Sequence, residues 1–142
     1  MKTVQHLLES KAPGAVTIAP RASVFEALEL MAAKDVGAVV VVDEDRVVGI
    51  LSERDYARKV ILHHKSSREI PVSEIMTERV LFVNPSFTLD ECMAIVTSRR
   101  IRHLPVLDGH RLVGVLSIGD LVKAALSEQQ QTIRYLENYI AS

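Results

Sequence analysis

Two stretches of this chain set a serine and an aspartate three residues apart, Ser52 with Asp55 and Ser117 with Asp120, each directly after an apolar run ending Gly-Ile-Leu or Gly-Val-Leu. If a helix starts after each serine, both aspartates fall on a first turn, where the helix macrodipole favours negative charge. An ionised carboxylate there can accept from both hydroxyls of a vicinal diol, each bond to a charged group contributing roughly 1.5–3 kcal/mol. The serine sits where helix N-terminal N–H groups favour an anion. The same aspartates would serve equally as helix-stabilising acids, so the spacing alone leaves both roles open. Cations stand nearby: Arg54 inside the first pair, Arg102 and His103 ahead of the second.

Other chemistry finds less support. Residues 114–119 (GVLSIG) carry one residue too many for a nucleophile elbow and suggest no His–Asp partners. Neither a Walker loop nor a dinucleotide fingerprint is present. His63 and His64 are adjacent, a spacing that rarely shares one metal ion, and read as part of a solvated linker. Arg99, Arg100 and Arg102 would point to nucleic acid in a basic protein, but the formal net charge is −1 and no aromatics flank them. The residues therefore predict binding without catalysis and no metal site.

The elements that must hold these residues occur twice. Sliding the chain by 65 positions sets residues 20–56 on 85–121 without a gap, with ten identities: Pro20/Pro85, Glu26/Glu91, Val41/Val106, Asp43/Asp108, Arg46/Arg111, Val48/Val113, Gly49/Gly114, Leu51/Leu116, Ser52/Ser117 and Asp55/Asp120. Typical residue usage gives roughly two over such a span. In each copy a short apolar piece (16–18, 81–83) stopped by proline reads as a brief strand. Ser23 with Glu26, and Thr88 with Glu91, read as capping boxes. The helices that follow put Val24, Ala27, Leu28 and Met31, or Leu89, Cys92, Met93 and Val96, on one face. Two strands come next, 38–42 and 47–51, then 103–107 and 112–116, joined by turns at 43–45 and 108–110. Their apolar runs are too continuous for one-sided strands, so both sheet faces should be covered. A second helix follows Ser52 and Ser117. Residues 72–76 read as a short helical turn, and Ile133, Leu136, Tyr139 and Ile140 mark a final amphipathic helix.

Composition fits this scheme. The 142 residues are 48% hydrophobic with no Trp, so the core must be aliphatic. Cys92 is the only cysteine, which excludes an internal disulfide, suits a reducing compartment and belongs on a core-facing helix side. The first residues lose apolar character too early for a secretory leader, and the longest apolar run, 38–42, is far too short to span a bilayer. A cytoplasmic protein without membrane contact is expected.

The runs Val-Val-Gly-Ile-Leu-Ser-Glu-Arg-Asp (47–55), Leu-Val-Gly-Val-Leu-Ser-Ile-Gly-Asp (112–120) and Arg-Ile-Arg-His-Leu-Pro-Val (100–106) resemble the cystathionine-β-synthase (CBS) domain pair, or Bateman module, over about residues 3 to 126. The resemblance implies an α+β fold, a tandem pair of βαββα repeats packed sheet against sheet with pseudo-two-fold symmetry. It would place a first repeat with its N-terminal helix at 1–62, a linker at 63–71, a second repeat at 72–126 and the amphipathic helix at 127–142. It also implies an adenosyl ligand in the cleft between repeats, foremost AMP, with ADP, ATP, NAD or S-adenosylmethionine as other members of the class. Carried over, one set would be Val16, Val36 and Gly37 with Ser117 and Asp120, the other Val80, Ile101, Arg102 and His103 with Ser52, Arg54 and Asp55. The cations then fall in one set only, so the sites should be unequal. The family's habit of pairing modules implies a homodimer acting on a regulated protein that the sequence does not name. A ligand-free scaffold and an NAD(H)-sensing redox regulator are the alternatives.

Overall fold

The computed structural model describes residues 2–64 and 66–141. In chain order it contains helix α1 (Val4–Glu9), strand β1 (Thr17–Ile18), α2 (Val24–Lys34), β2 (Ala38–Asp43), β3 (Arg46–Ser52), α3 (Glu53–Lys59), a 3-10 turn (Ile61–His63), α4 (Val72–Ile75), α5 (Leu89–Arg99), β4 (His103–Asp108), β5 (Arg111–Ser117) and α6 (Ile118–Ala141). This is an α+β protein with two small sheets. It divides into two compact units, Gly14–Leu81 and a second formed by residues up to Pro13 together with Phe82 onward.

The sequence repeat reappears as an identical hydrogen-bond register. Ala38 pairs with Ser52 and His103 with Ser117, and both hairpins carry an irregularity one turn before the loop, at Val41/Val42 and Val106/Leu107. The two-residue loops reach positive φ at Glu44 and Asp45 in one copy and at Gly109 in the other, as tight hairpins require. Val39, Val40 and Val41 are all fully buried, so both faces of β2 are covered, as its unbroken apolar run predicts.

One expected strand shrinks. In the first unit β1 runs parallel to β2, and the Val40 N–H donates to the Val16 carbonyl at 3.0 Å. The residue equivalent to Val40 is Pro105, which has no N–H to give. At 81–83 the strand is accordingly reduced to a single parallel bridge, Val83 to Val106.

The boundaries of the units also depart from the repeat as segmented in sequence. Helix α1, assigned with the first repeat, belongs to the unit of the second: Val4 N–H donates to Phe87 O (2.8 Å), Gln5 N–H to Pro85 O (2.9 Å), and Leu89 N–H to Lys2 O (2.9 Å). Helix α4 does the same for the first unit, with Val72 N–H on Ala22 O (2.8 Å), Ser73 N–H on Pro20 O (2.9 Å) and Val24 N–H on Ile70 O (2.9 Å). In each unit the unpaired N–H groups at one helix start meet the carbonyls of the loop leading into the other helix. Each short helix then buries its valine, Val4 or Val72, at 0% exposure.

One core gathers Val24, Ala27, Met31, Val39, Val41 and Leu51 with Val72 and Ile75. The other gathers Val4, Leu7, Leu89, Cys92, Val96, Leu104, Val106, Leu116 and Leu121. Thr88 and Glu91 close a full capping box; at Ser23 only the serine half forms, and residues 67 and 70 supply carbonyls to the next two N–H groups. Helix α6 passes through residue 126 without a break and runs for 24 residues. No Gly or Pro interrupts it after Gly119, so nothing stops the helix. Among the described residues no helix is long and apolar enough to cross a membrane.

Candidate functional site

Each hairpin delivers its serine to a helix start. Ser52 ends β3 and caps α3; its Oγ accepts from the Asp55 N–H at 3.2 Å. Asp55 answers through Oδ2, which accepts from the Ser52 N–H (2.9 Å) and hydroxyl (3.0 Å). Ser117 and Asp120 repeat the box, with Asp120 N–H to Ser117 Oγ at 3.1 Å and Ser117 N–H to Asp120 Oδ2 at 2.8 Å. The helix-stabilising role left open by the sequence is therefore real at both aspartates, and it fixes where each carboxylate points.

The strand-entry residues lie against these helix starts. Glu53 N–H donates to Gly37 O at 3.0 Å, and Ile118 N–H donates to Arg102 O at 2.8 Å. In the Gly14–Leu81 unit this brings Val36 and Gly37 beside Ser52, Arg54 and Asp55, with Val16 one strand away. Val80 belongs to the same unit and lies outside any strand or helix. In the other unit Ile101, Arg102 and His103 stand beside Ser117 and Asp120. The Arg102 side of this entry is exposed, while His103 and Ile101 are half-buried.

Two lysines complete the picture, and neither was among the sequence candidates. Lys59 places its ammonium 3.3 Å from Asp55 Oδ1 and donates to Ile75 O at 2.9 Å. Its signal was the i,i+4 spacing from Asp55. Lys11 donates to Asp120 Oδ2 and to Val115 O, both at 2.7 Å. Nothing local in the sequence announces that contact. The position equivalent to Val115 is Ile50, whose backbone instead exchanges bonds with Thr77 (3.0 and 2.9 Å), and Thr77 Oγ1 lies 3.5 Å from Asp55 Oδ1. A single ammonium at Lys11 thus stands in for both the backbone N–H and the hydroxyl of Thr77. It also supplies a cation that the sequence had not given to the Asp120 set. Burial alone would raise the Asp120 carboxyl, but the bonds from Lys11 and Ser117 and the charge of Lys11 hold it below the usual carboxylate value.

The family model for the CBS domain matches residues 11–62 and again 72–127. The chain belongs to the CBS-domain family. It is 37% identical over 123 residues to the CBS domain-containing protein CBSX3, mitochondrial, of Arabidopsis thaliana, covering 83% of this chain and 60% of that protein's length. Among solved structures it is similar to a candidate signal-transduction protein with CBS domains from Burkholderia ambifaria MC40-6, at TM-score 0.86 and 49% identity, covering 90% of this chain and 96% of that one. It is also similar to a hexameric CBS-CP12 protein from bloom-forming cyanobacteria, at TM-score 0.76 and 28% identity, covering 86% of this chain and 70% of that one.

Proposed function

We propose that this chain is a regulatory module that senses an adenine nucleotide, AMP foremost, and passes its occupancy to a partner protein without catalysing a reaction. Asp55 and Asp120 are its ribose-binding carboxylates. Val16, Val36, Gly37, Val80 and Ile101 offer aliphatic side chains and strand-entry backbone to the base, while Ser52 and Ser117 stand by the sugar–phosphate. Arg54, Arg102 and His103 are the phosphate cations. The observation that carries this reading is the twin Ser-x-x-Asp helix start, each with its carboxylate fixed by the serine and set beside a strand-entry backbone. Lys11 is already committed to Asp120 and Val115. The module works as a homodimer in the cytoplasm, where its single buried cysteine stays reduced.

A thermal-shift screen against AMP, ADP, ATP, NAD, NADH and S-adenosylmethionine tests it directly, because a ligand that binds only the folded state raises Tm. AMP should raise Tm more than adenosine does, and Arg102→Ala should remove most of that difference, since each phosphate contact of this kind contributes roughly 1.5–3 kcal/mol. A flat response to every compound would leave a ligand-free scaffold; a response confined to NAD and NADH would mark a redox regulator.

A further inference from the structure

The C-terminal part of α6 carries an apolar stripe that its own unit leaves in solvent. The unit buries Leu121 and Ala124 of this helix. Val122, Leu126, Ile133, Leu136 and Ile140 are between 45% and 82% exposed, with Ile133 at the rim of an open groove that it lines with Leu89 and Met93 of α5. With Gln129 they fall at steps of 4, 3, 4, 3 and 4 residues, the heptad alternation of a coiled-coil seam. On a helix of 3.6 residues per turn they occupy a band roughly 80° wide, narrower than the face a globular core takes up.

We infer that α6 is a self-association surface on which a second copy of this chain lays its own α6 antiparallel, as a short two-helix coiled coil. The choice of occupant follows from the register. Antiparallel copies related by a two-fold axis at Gln131 set Val122 against Ile140 of the second copy, Leu126 against Leu136, and Gln129 against Ile133, every layer pairing one heptad class with the other. The flanks then agree in charge and in size. Lys123 meets Glu137 on one side, twice by symmetry, and Ala125 meets Tyr139 on the other, a small residue opposite a large one. Parallel copies would oppose Ile133 to itself and bring Ala125 to Gln130 and Thr132 to Glu137, with no opposite charges across the seam. Charges flanking the seam decide orientation in such pairs, and an isologous contact closes at two copies. The inference specifies the interface of the homodimer proposed above and does not depend on nucleotide.

Sedimentation velocity on the full chain, with and without charge exchange, tests the pairing. Lys123→Glu should weaken dimerisation about tenfold by setting like charges at two symmetry-related places, and adding Glu137→Lys to the same chain should restore it. Neither change touches a buried residue, so folding is not at stake. Orientation is read by oxidative cross-linking: Gln129→Cys mixed with Ile133→Cys should give a mixed disulfide, and Ile133→Cys alone should not dimerise covalently. A dimer indifferent to both charge changes would mean pairing through another face and would overturn the inference while leaving the homodimer intact. A monomer at tens of micromolar would remove both, and self-cross-linking of Ile133→Cys would overturn the antiparallel arrangement.

Discussion

At Asp55 the neighbouring ammonium comes from Lys59 on the same helix, whereas at Asp120 it comes from Lys11, 109 positions away. The two carboxylates share a capping box and differ in what else holds them. For Asp55 the proposed ribose role predicts that Asp55→Asn weakens AMP binding about tenfold to a hundredfold, measured by titration calorimetry, through loss of charge-assisted bonds. Asn still accepts at a helix start, so the cap survives; affinity equal to wild type would rule out the carboxylate. For Asp120 the prediction concerns stability and pH. Its folded pKa is depressed, first against a burial effect that raises it and then by Lys11 and Ser117. A depressed acid adds stability above its unfolded pKa, about 3.9, and loses it as pH falls through the folded value. Lys11→Met should therefore lower the urea midpoint at pH 7, and the gap to wild type should close as pH drops below about 4. A gap independent of pH would assign the effect to packing of the lysine stem instead. Lys59 was readable from its spacing; Lys11 was not, because only the folded chain brings residue 11 to residue 120.

Among the elements, the hairpins were the most legible, since their apolar runs, tight turns and 65-residue repeat all agree, and the register confirms them. The strand at 81–83 was misread for a reason one residue long: its partner is Pro105, and local pattern at 81–83 carries no sign of a missing donor across the sheet. The single α6 was read as two because residues 127–132 carry no apolar residue, although nothing in its sequence breaks a helix. Gly49 offers a test at this scale. A Cβ there would meet Met76 Sδ at 2.6 Å and Thr77 O at 3.0 Å, so the 76–77 segment packs directly on the glycine. Gly49→Ala should cost about 1–3 kcal/mol in chemical denaturation by forcing that segment away from β3. Gly119, by contrast, meets only Ser117 Oγ at 3.6 Å, and Gly119→Ala should stabilise α6 by about 0.5–1 kcal/mol. Equal effects at the two glycines would contradict the packing at Gly49.

The whole chain is a lesson in where a repeat begins. Sequence similarity starts at Pro20 and Pro85, but each unit is completed by a short helix that the alignment leaves outside, α4 for one and α1 for the other. Those helices carry two core residues each, too little pattern to assign to either repeat before folding. Cys92 gives the exchange a chemical readout. It is fully buried beside Val4 and Leu7 in the same core, and burial, with the Glu91 charge next to it, pushes its thiol up to about 11. The thiolate is the reactive form, so iodoacetamide should modify the native protein very slowly. Deleting residues 2–9 should speed that modification many-fold by opening the core of the 82–141 unit, though the deletion lies at the other end of the chain. An unchanged rate would show that α1 contributes little to that core.

The same exchange sets a timetable for synthesis. Helix α1 leaves the ribosome before the rest of its own unit, and Val4 waits for a carbonyl at Phe87, 83 positions behind it. At about 5–20 residues per second that is a delay of roughly 4–17 s, during which Val4 and Leu7 have no partner. The Gly14–Leu81 unit, by contrast, contains α4 within its own span and can close as soon as residue 81 emerges. Birth order and folding order therefore run opposite for this helix: α1 is made ahead of the Gly14–Leu81 unit and placed after it.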